Sequence, residues 1–215
     1  MSNKSFIDES VMYDELTMDL AWRKKEVLNL SSSIIRNGII DKPFLRAGIA
    51  LLYAHWEGFI KSSTESYLNY INSKRHRYCD LNRKIVGMAL RKEIGSSFKS
   101  NKAIDIVKCI DRLFESKSIN RFRLSFVVDT KSNLSSIVFK EIIDWMDISD
   151  SKYVSSFILI DSQLVGMRNR IAHGEYLEID SQEYQNVRER VLMLMDNYRE
   201  DICINVRDKK YLNSR

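Results

Sequence analysis

Seven glycines and a single proline, Pro43, are spread over 215 residues. Hairpins and tight strand corners consume those two residue types, so a chain this poor in them has little means of building a sheet and is mostly helix. With 44% hydrophobic residues it holds enough apolar surface for a substantial core. Helical spacing then dominates the sequence. Met12, Leu16, Leu20, Val27, Leu30 and Ile34 recur at helical intervals, and Asn37-Gly38 supplies a stop. Asp41-Lys42-Pro43 reads as a helix start in which Asp41 can cap and Pro43 is tolerated in the first turn. A second helix from about Phe44 to Asn72 carries Leu45, Ile49, Leu52, Trp56, Phe59, Ser63 and Tyr67 on one face.

Shorter helices are expected over Asp80 to Gly95, Asn101 to Lys117 and Ser135 to Asp147, with an extended loop between Asn120 and Thr130. A sixth runs from about Ser155 to His173, ended by Gly174, and a last one from Ser181 to beyond Tyr198, capped by Asp180 or Ser181. No repeat and no linker composition divides the chain. The expectation is a compact all-α bundle of six or seven helices forming one domain over residues 1–215, with its core at about 10–205.

Several chemistries are excluded by inspection. No glycine precedes a lysine and no G-x-G occurs, which removes the Walker A loop and the dinucleotide fingerprint, and G-x-S-x-G is missing. His55, His76 and His173 share no helical metal spacing, and His76-x-x-Cys79 is half a site, so neither metal nor cofactor is expected. Cys79, Cys109 and Cys203 form no C-x-x-C pair or disulfide framework, which fits a reducing cytoplasm. The first twenty residues hold five carboxylates against Lys4, the reverse of a leader, and no apolar run approaches the ~20 residues that span a bilayer. No membrane is expected among its partners.

Charge is uneven. Fourteen basic and five acidic residues fall between Lys74 and Arg123 in a chain of formal charge +5. Lys74, Arg75, Arg77, Arg83, Lys84, Arg121 and Arg123 are candidate contacts to an RNA backbone, with a solvated face the competing reading.

The densest cluster is Leu164-Val165-Gly166-Met167-Arg168-Asn169-Arg170-Ile171-Ala172-His173-Gly174-Glu175. On a helical wheel Ile160, Leu164, Met167 and Ile171 form a core stripe. Asn169 and His173 lie nearly opposite it, and Arg168 sits about 140° from His173 with Val165 and Ala172 between them. Small residues flanked by Arg, Asn and His make a second contact face suited to a symmetric dimer in which the Arg of each protomer reaches the His of the other. His173 stands in the last turn, where the helix end favours an imidazolium. Beside a guanidinium able to neutralise a phosphorane, such a histidine can drive attack of an RNA 2′-hydroxyl on the neighbouring phosphate.

Arg168-Asn169-x-x-Ala172-His173 resembles the R-x4-6-H signature, often R-N-x-x-x-H, of the HEPN superfamily of small all-helical ribonucleases. The segment Arg46-Ala47-Gly48-Ile49-Ala50-Leu51-Leu52-Tyr53-Ala54-His55-Trp56-Glu57-Gly58-Phe59 is similar to the long early helix of a HEPN-like nuclease branch found in prokaryotic defence and toxin loci. The resemblance implies a metal-independent endoribonuclease acting on tRNA or mRNA as a toxin or antiphage effector. In that reading Arg168 stabilises the transition state and orients the scissile phosphate, His173 transfers the proton and Asn169 positions one of them. It further implies a homodimer with a shared cleft and an antitoxin or defence-system partner protein. Glu57, Tyr53, Arg170 and Tyr176 are candidates to line that cleft, although Glu57 can instead pair with Lys61 one turn on. In the toxin branch regulated by a nucleotidyltransferase the histidine is followed by x-Tyr. Here the order is His173-Gly174-Glu175-Tyr176, one residue longer, so that regulation is not expected and Tyr176 is free to pack. The alternatives are a non-catalytic HEPN-like module that binds RNA, nucleotide or a partner, and a structural helical adaptor.

Overall fold

The computed structural model describes residues 6–36, 39–99, 133–213 and the helical positions 103, 104 and 107. The expected helix over Asn101 to Lys117 is described only at positions 103, 104 and 107, which are helical, and the loop over Asn120 to Thr130 lies outside the described residues. Helix α1 (Glu9–Ile34) leads into two-residue strands, β1 (Ile35–Arg36) and β2 (Ile39–Ile40), paired antiparallel with Ile35 opposite Ile40. No strand was expected here; an Asn-Gly dipeptide between two apolar pairs is a hairpin signal as much as a helix stop. Helix α2 (Lys42–Ser73) follows, with Pro43 in its first turn. Asp41 occupies the cap position, yet its side chain makes no cap bond.

Because α1 and α2 are joined so tightly, they run antiparallel, and a ladder of side-chain bonds fixes their register. The Tyr70 hydroxyl donates to Glu9, Ser66 to Glu15, and Ser62 to Asp19 at 2.6 Å. After a 3₁₀ turn (Tyr78–Asp80) come α3 (Arg83–Lys99) and α4 (Ser136–Trp145). The chain then climbs through 3₁₀ turns at Asp150–Lys152 and Val154–Ser156, a π-helical stretch (Leu159–Gly166) and the short α5 (Met167–Ala172), and closes with α6 (Ser181–Arg207). Asp180 caps α6 by accepting the Glu183 N–H. The architecture is all-α.

Helix α6 runs antiparallel to α1, with Lys24 paired to Asp196 and the Tyr13 hydroxyl donating to the Cys203 carbonyl. These three helices enclose the main core. Leu45, Ile49, Leu52, Trp56, Phe59, Ser63 and Tyr67 are all buried, as their spacing requires. Phe139 of α4 meets the rings of Trp56, Tyr153 and Tyr198 edge-on at 4.9–5.7 Å, which ties the second half of the chain to α2. Among the described residues no helix is long and apolar enough to cross a membrane.

Two positions in α2 show how closely the helices approach. A Cβ built on Gly48 would stand 2.6 Å from Cε2 of the buried Tyr184 of α6, so only glycine admits that contact. Helix propensity alone would make Gly48→Ala stabilising by about 1 kcal/mol. The overlap should reverse the sign and cost about 1–3 kcal/mol in urea denaturation. His55 is buried on the α1 side, with Nε2 3.1 Å from Glu26 Oε2 and the Trp22 ring edge-on at 5.3 Å. Burial holds its pKa below 6.5, opposed by Glu26 and Asp19 and assisted by Arg23. The folded chain therefore keeps His55 neutral while the unfolded chain protonates it. Stability should fall as pH drops below about 6.5, and the urea midpoint of His55→Asn should change less between pH 7 and 5.5.

Candidate functional site

Tyr53 lies in the middle of α2 with 2% exposure. Its hydroxyl oxygen accepts the Leu134 N–H at 2.9 Å, just before α4 begins, and faces Asn133 Oδ1 at 3.5 Å. Desolvation, opposed by the Leu134 bond and reinforced by the Glu57 carboxylate, pushes its pKa up to about 12. The phenol therefore stays protonated at any physiological pH. Glu57 is half-buried one turn further along α2 and faces this hydroxyl. It makes no ion pair with Lys61 among the described residues.

The segment leading into α4 is fastened a second time. Ser135 caps the helix, and Asp161 in the π stretch accepts both the Ser136 N–H at 2.7 Å and the Ser136 hydroxyl. Sequence reasoning missed Asn133, Ser136 and Asp161; the Ser135-Ser136 pair before an apolar run is the capping signal that marks them. A π turn takes more residues than an α turn, so the register of Leu159–Gly166 departs from the 3.6-residue wheel. Ile160, Leu164 and Met167 are buried as expected and Ile171 partly so, but Val165 is only 8% exposed. The second face expected to run from Val165 to Ala172 is thereby corrected: Val165 belongs to the core, and Ala172 alone is exposed.

Beyond the π stretch, α5 carries Arg168 over the Tyr53 ring, with its guanidinium carbon 4.1 Å from the centroid. Arg168 Nη1 donates to Asn169 Oδ1 at 2.7 Å. The guanidinium is half-buried and forms no ion pair among the described residues. Four sequence candidates, Tyr53, Glu57, Arg168 and Asn169, thus share one wall between α2 and α5.

His173 occupies the helix end. It is exposed, and its imidazole makes no hydrogen bond among the described residues. The turn that carries it is rigid. Gly174 has φ +74°, its N–H bonds the Ile171 carbonyl at 3.1 Å, and the Glu175 N–H bonds the Arg170 carbonyl at 2.9 Å, the paired bonds of a Schellman end. Arg170 braces the same turn from outside, through Nε to Glu175 at 3.1 Å and Nη2 to the Tyr176 carbonyl at 3.2 Å. Its place is the cap rather than the Tyr53 wall. Tyr176 does not pack: it is 72% exposed, with the Arg46 guanidinium 5.9 Å from its ring centroid.

The basic candidates stand elsewhere. Lys74 caps the far end of α2, about 30 Å along the axis from Tyr53. Its ammonium sits 3.6 Å from the Phe6 ring centroid, and burial lowers its pKa. Arg77 is paired with Asp80 and Lys84 with Asp147. Arg75 and Arg83 are exposed without an ion pair among the described residues, and Arg121 and Arg123 lie outside them.

Tyr53→Phe keeps the ring beneath Arg168 but strands the Leu134 N–H in the core. Stability should drop by about 1–3 kcal/mol in urea denaturation, and Tyr53→Leu, which also removes the stack, should lose more.

The sequence model described as HEPN_MAE_28990-like HEPN matches residues 12–211. No curated protein and no solved structure matches the chain.

Proposed function

Since the chain belongs to the MAE_28990-like HEPN family, we propose that it is an endoribonuclease that cuts RNA by 2′-hydroxyl transesterification, with Arg168, Asn169 and His173 as its catalytic group. One observation carries this reading. A half-buried guanidinium without a carboxylate partner among the described residues is held over Tyr53 and steered by Asn169, on the short helix that ends at an imidazole with no hydrogen bond among the described residues. Burying a cation with no counter-charge is costly unless an anion completes the site.

In the proposed reaction His173 takes the proton of the 2′-hydroxyl. The freed oxygen attacks the adjacent phosphorus, the bond to the leaving 5′-oxygen breaks, and that oxygen regains a proton. The products are a 2′,3′-cyclic phosphate and a 5′-hydroxyl. Arg168 offsets the charge that builds on the phosphoryl oxygens, where a preorganised donor is worth most. Asn169 and the Tyr53 ring fix the guanidinium, and Glu57, acting on the Tyr53 hydroxyl, is a positioning residue. No step calls for a metal.

Within one chain Arg168 and His173 are five residues apart, about 7.5 Å along the axis and about 140° around it. They diverge, which supports a homodimer in which Arg168 of one copy and His173 of the other flank one phosphodiester. Action as a toxin or antiviral effector on tRNA or mRNA, held in check by an antitoxin or defence-system partner, follows from the same proposal.

Purified protein with bulk tRNA and mRNA in excess EDTA should yield 2′,3′-cyclic ends. Arg168→Ala and His173→Ala should each lower the cleavage rate by about 100-fold or more with the helical circular dichroism retained. Mixing the two inactive variants should restore about a quarter of wild-type activity, since half the dimers then hold one intact composite site. Binding without cleavage identifies a non-catalytic RNA module, strict dependence on added metal overturns the mechanism, and no recovery on mixing overturns the composite site. Expression of the wild type, but not His173→Ala, should arrest cell growth.

A further inference from the structure

The contact between Arg168 and Tyr53 has a counterpart on the same helix. Arg46 precedes Tyr53 by seven residues, so it lies on the same face of α2, about 10 Å closer to its start. There its guanidinium approaches the Tyr176 ring. The two stacks differ in what they leave open. At Arg168 the tyrosine is buried and the cation is half-exposed, which suits a phosphate. At Arg46 the cation is half-buried and the tyrosine is 72% exposed, which presents an aromatic face.

The backbone that carries that face is anchored on both sides. On its N-terminal side Arg170 ties Glu175 and the Tyr176 carbonyl to the end of α5. On its C-terminal side Leu177 is buried and Glu178 pairs with Lys42 at 2.7 Å. An exposed tyrosine gains almost nothing from packing, yet four neighbouring contacts fix its backbone. An exposed aromatic on an anchored backbone, beside a guanidinium and three residues from His173, has the form of a platform for an unstacked base.

Resting on the nuclease reading above, we propose that Tyr176 and Arg46 stack the base of a nucleotide next to the scissile phosphate, so that the substrate is an unpaired segment of RNA rather than a duplex. The rise of about 10 Å along α2 between Arg46 and Tyr53 is on the order of one or two nucleotides of an extended strand. In a duplex the base faces stay stacked on one another, and none is free to meet Tyr176.

The test uses direct binding, which does not depend on cleavage. A fluorescein-labelled, fully 2′-O-methylated twelve-nucleotide strand, alone or annealed to its complement, is titrated with the full chain and followed by anisotropy. The single strand should bind at least 10-fold tighter than the duplex. Tyr176→Ala should weaken single-strand binding by about 5- to 100-fold, the range expected for loss of one base stack, and Arg46→Ala by less. Tyr176→Trp should restore affinity, and its indole fluorescence should quench on binding. Equal affinity of wild type and Tyr176→Ala for the single strand, or duplex binding as tight as single-strand binding, overturns the proposal. Failure of the nuclease reading is scored separately, by the absence of cyclic-phosphate ends in the cleavage assay.

Discussion

Tyr53 carries two contacts that nothing else in the described structure duplicates. Its hydroxyl receives the Leu134 N–H, and its ring face supports the Arg168 guanidinium. The first is a buried hydrogen bond whose loss leaves a stranded donor. The second is a cation over a desolvated ring, worth about 2 kcal/mol in such surroundings. Because both meet on one side chain, the entry to α4 and the orientation of Arg168 are not independent. A change that moves α4 moves the phenol, and the guanidinium with it. The site is therefore a consequence of how the second half of the chain docks on α2.

The π stretch belongs to the same arrangement. A wider turn gives poorer packing along its own axis, and such segments persist where something outside holds them. Here Asp161 binds the start of α4 through both carboxylate oxygens, while Ile160, Leu164 and Val165 are buried on the other side. The altered register delivers α5 with Met167 inward and Arg168 against α2. A regular α-helix through the same residues would place Val165 with Ala172 on the outer face, and the side chains that follow would be turned with it.

The legibility of the chain follows this division. The scarcity of glycine and proline and the regular apolar spacing in α2 were sufficient for the all-α class and for the buried face from Leu45 to Tyr67, because a straight helix with one buried stripe obeys a local rule. The start of α6 and the stop at Gly174 were legible for the same reason: a cap is written in a few adjacent residues. The strand pair after α1, the π register and the double fastening of Ser136 were not. The strand pair is local, but Asn37-Gly38 reads equally as a helix stop, whereas the fastening at α4 depends on partners distant in sequence, Asp161 for Ser136 and Tyr53 for Leu134, which no local period encodes. Of the site residues, Arg168, Asn169 and His173 stood out as a motif. Arg46 carries no such mark, since the ring it approaches, Tyr176, lies 130 residues away.

A cluster of basic residues and the field it presents are different quantities, and the reason is physical. Arg77 and Lys84, two of the basic candidates, each have a carboxylate beside them, Asp80 and Asp147. Exposed pairs of this kind are screened by water and salt and leave little field at a distance. Arg168 adds one charge to the total and is invisible in any running sum. It is half-buried, stacked on a ring, and lacks an ion pair among the described residues, so its field is neither cancelled by a partner nor fully damped by solvent. An approaching phosphate responds to the local uncompensated charge, not to the count over fifty residues. In the proposed nuclease reading this local charge, beside Tyr53 and Asn169, is what meets the phosphodiester.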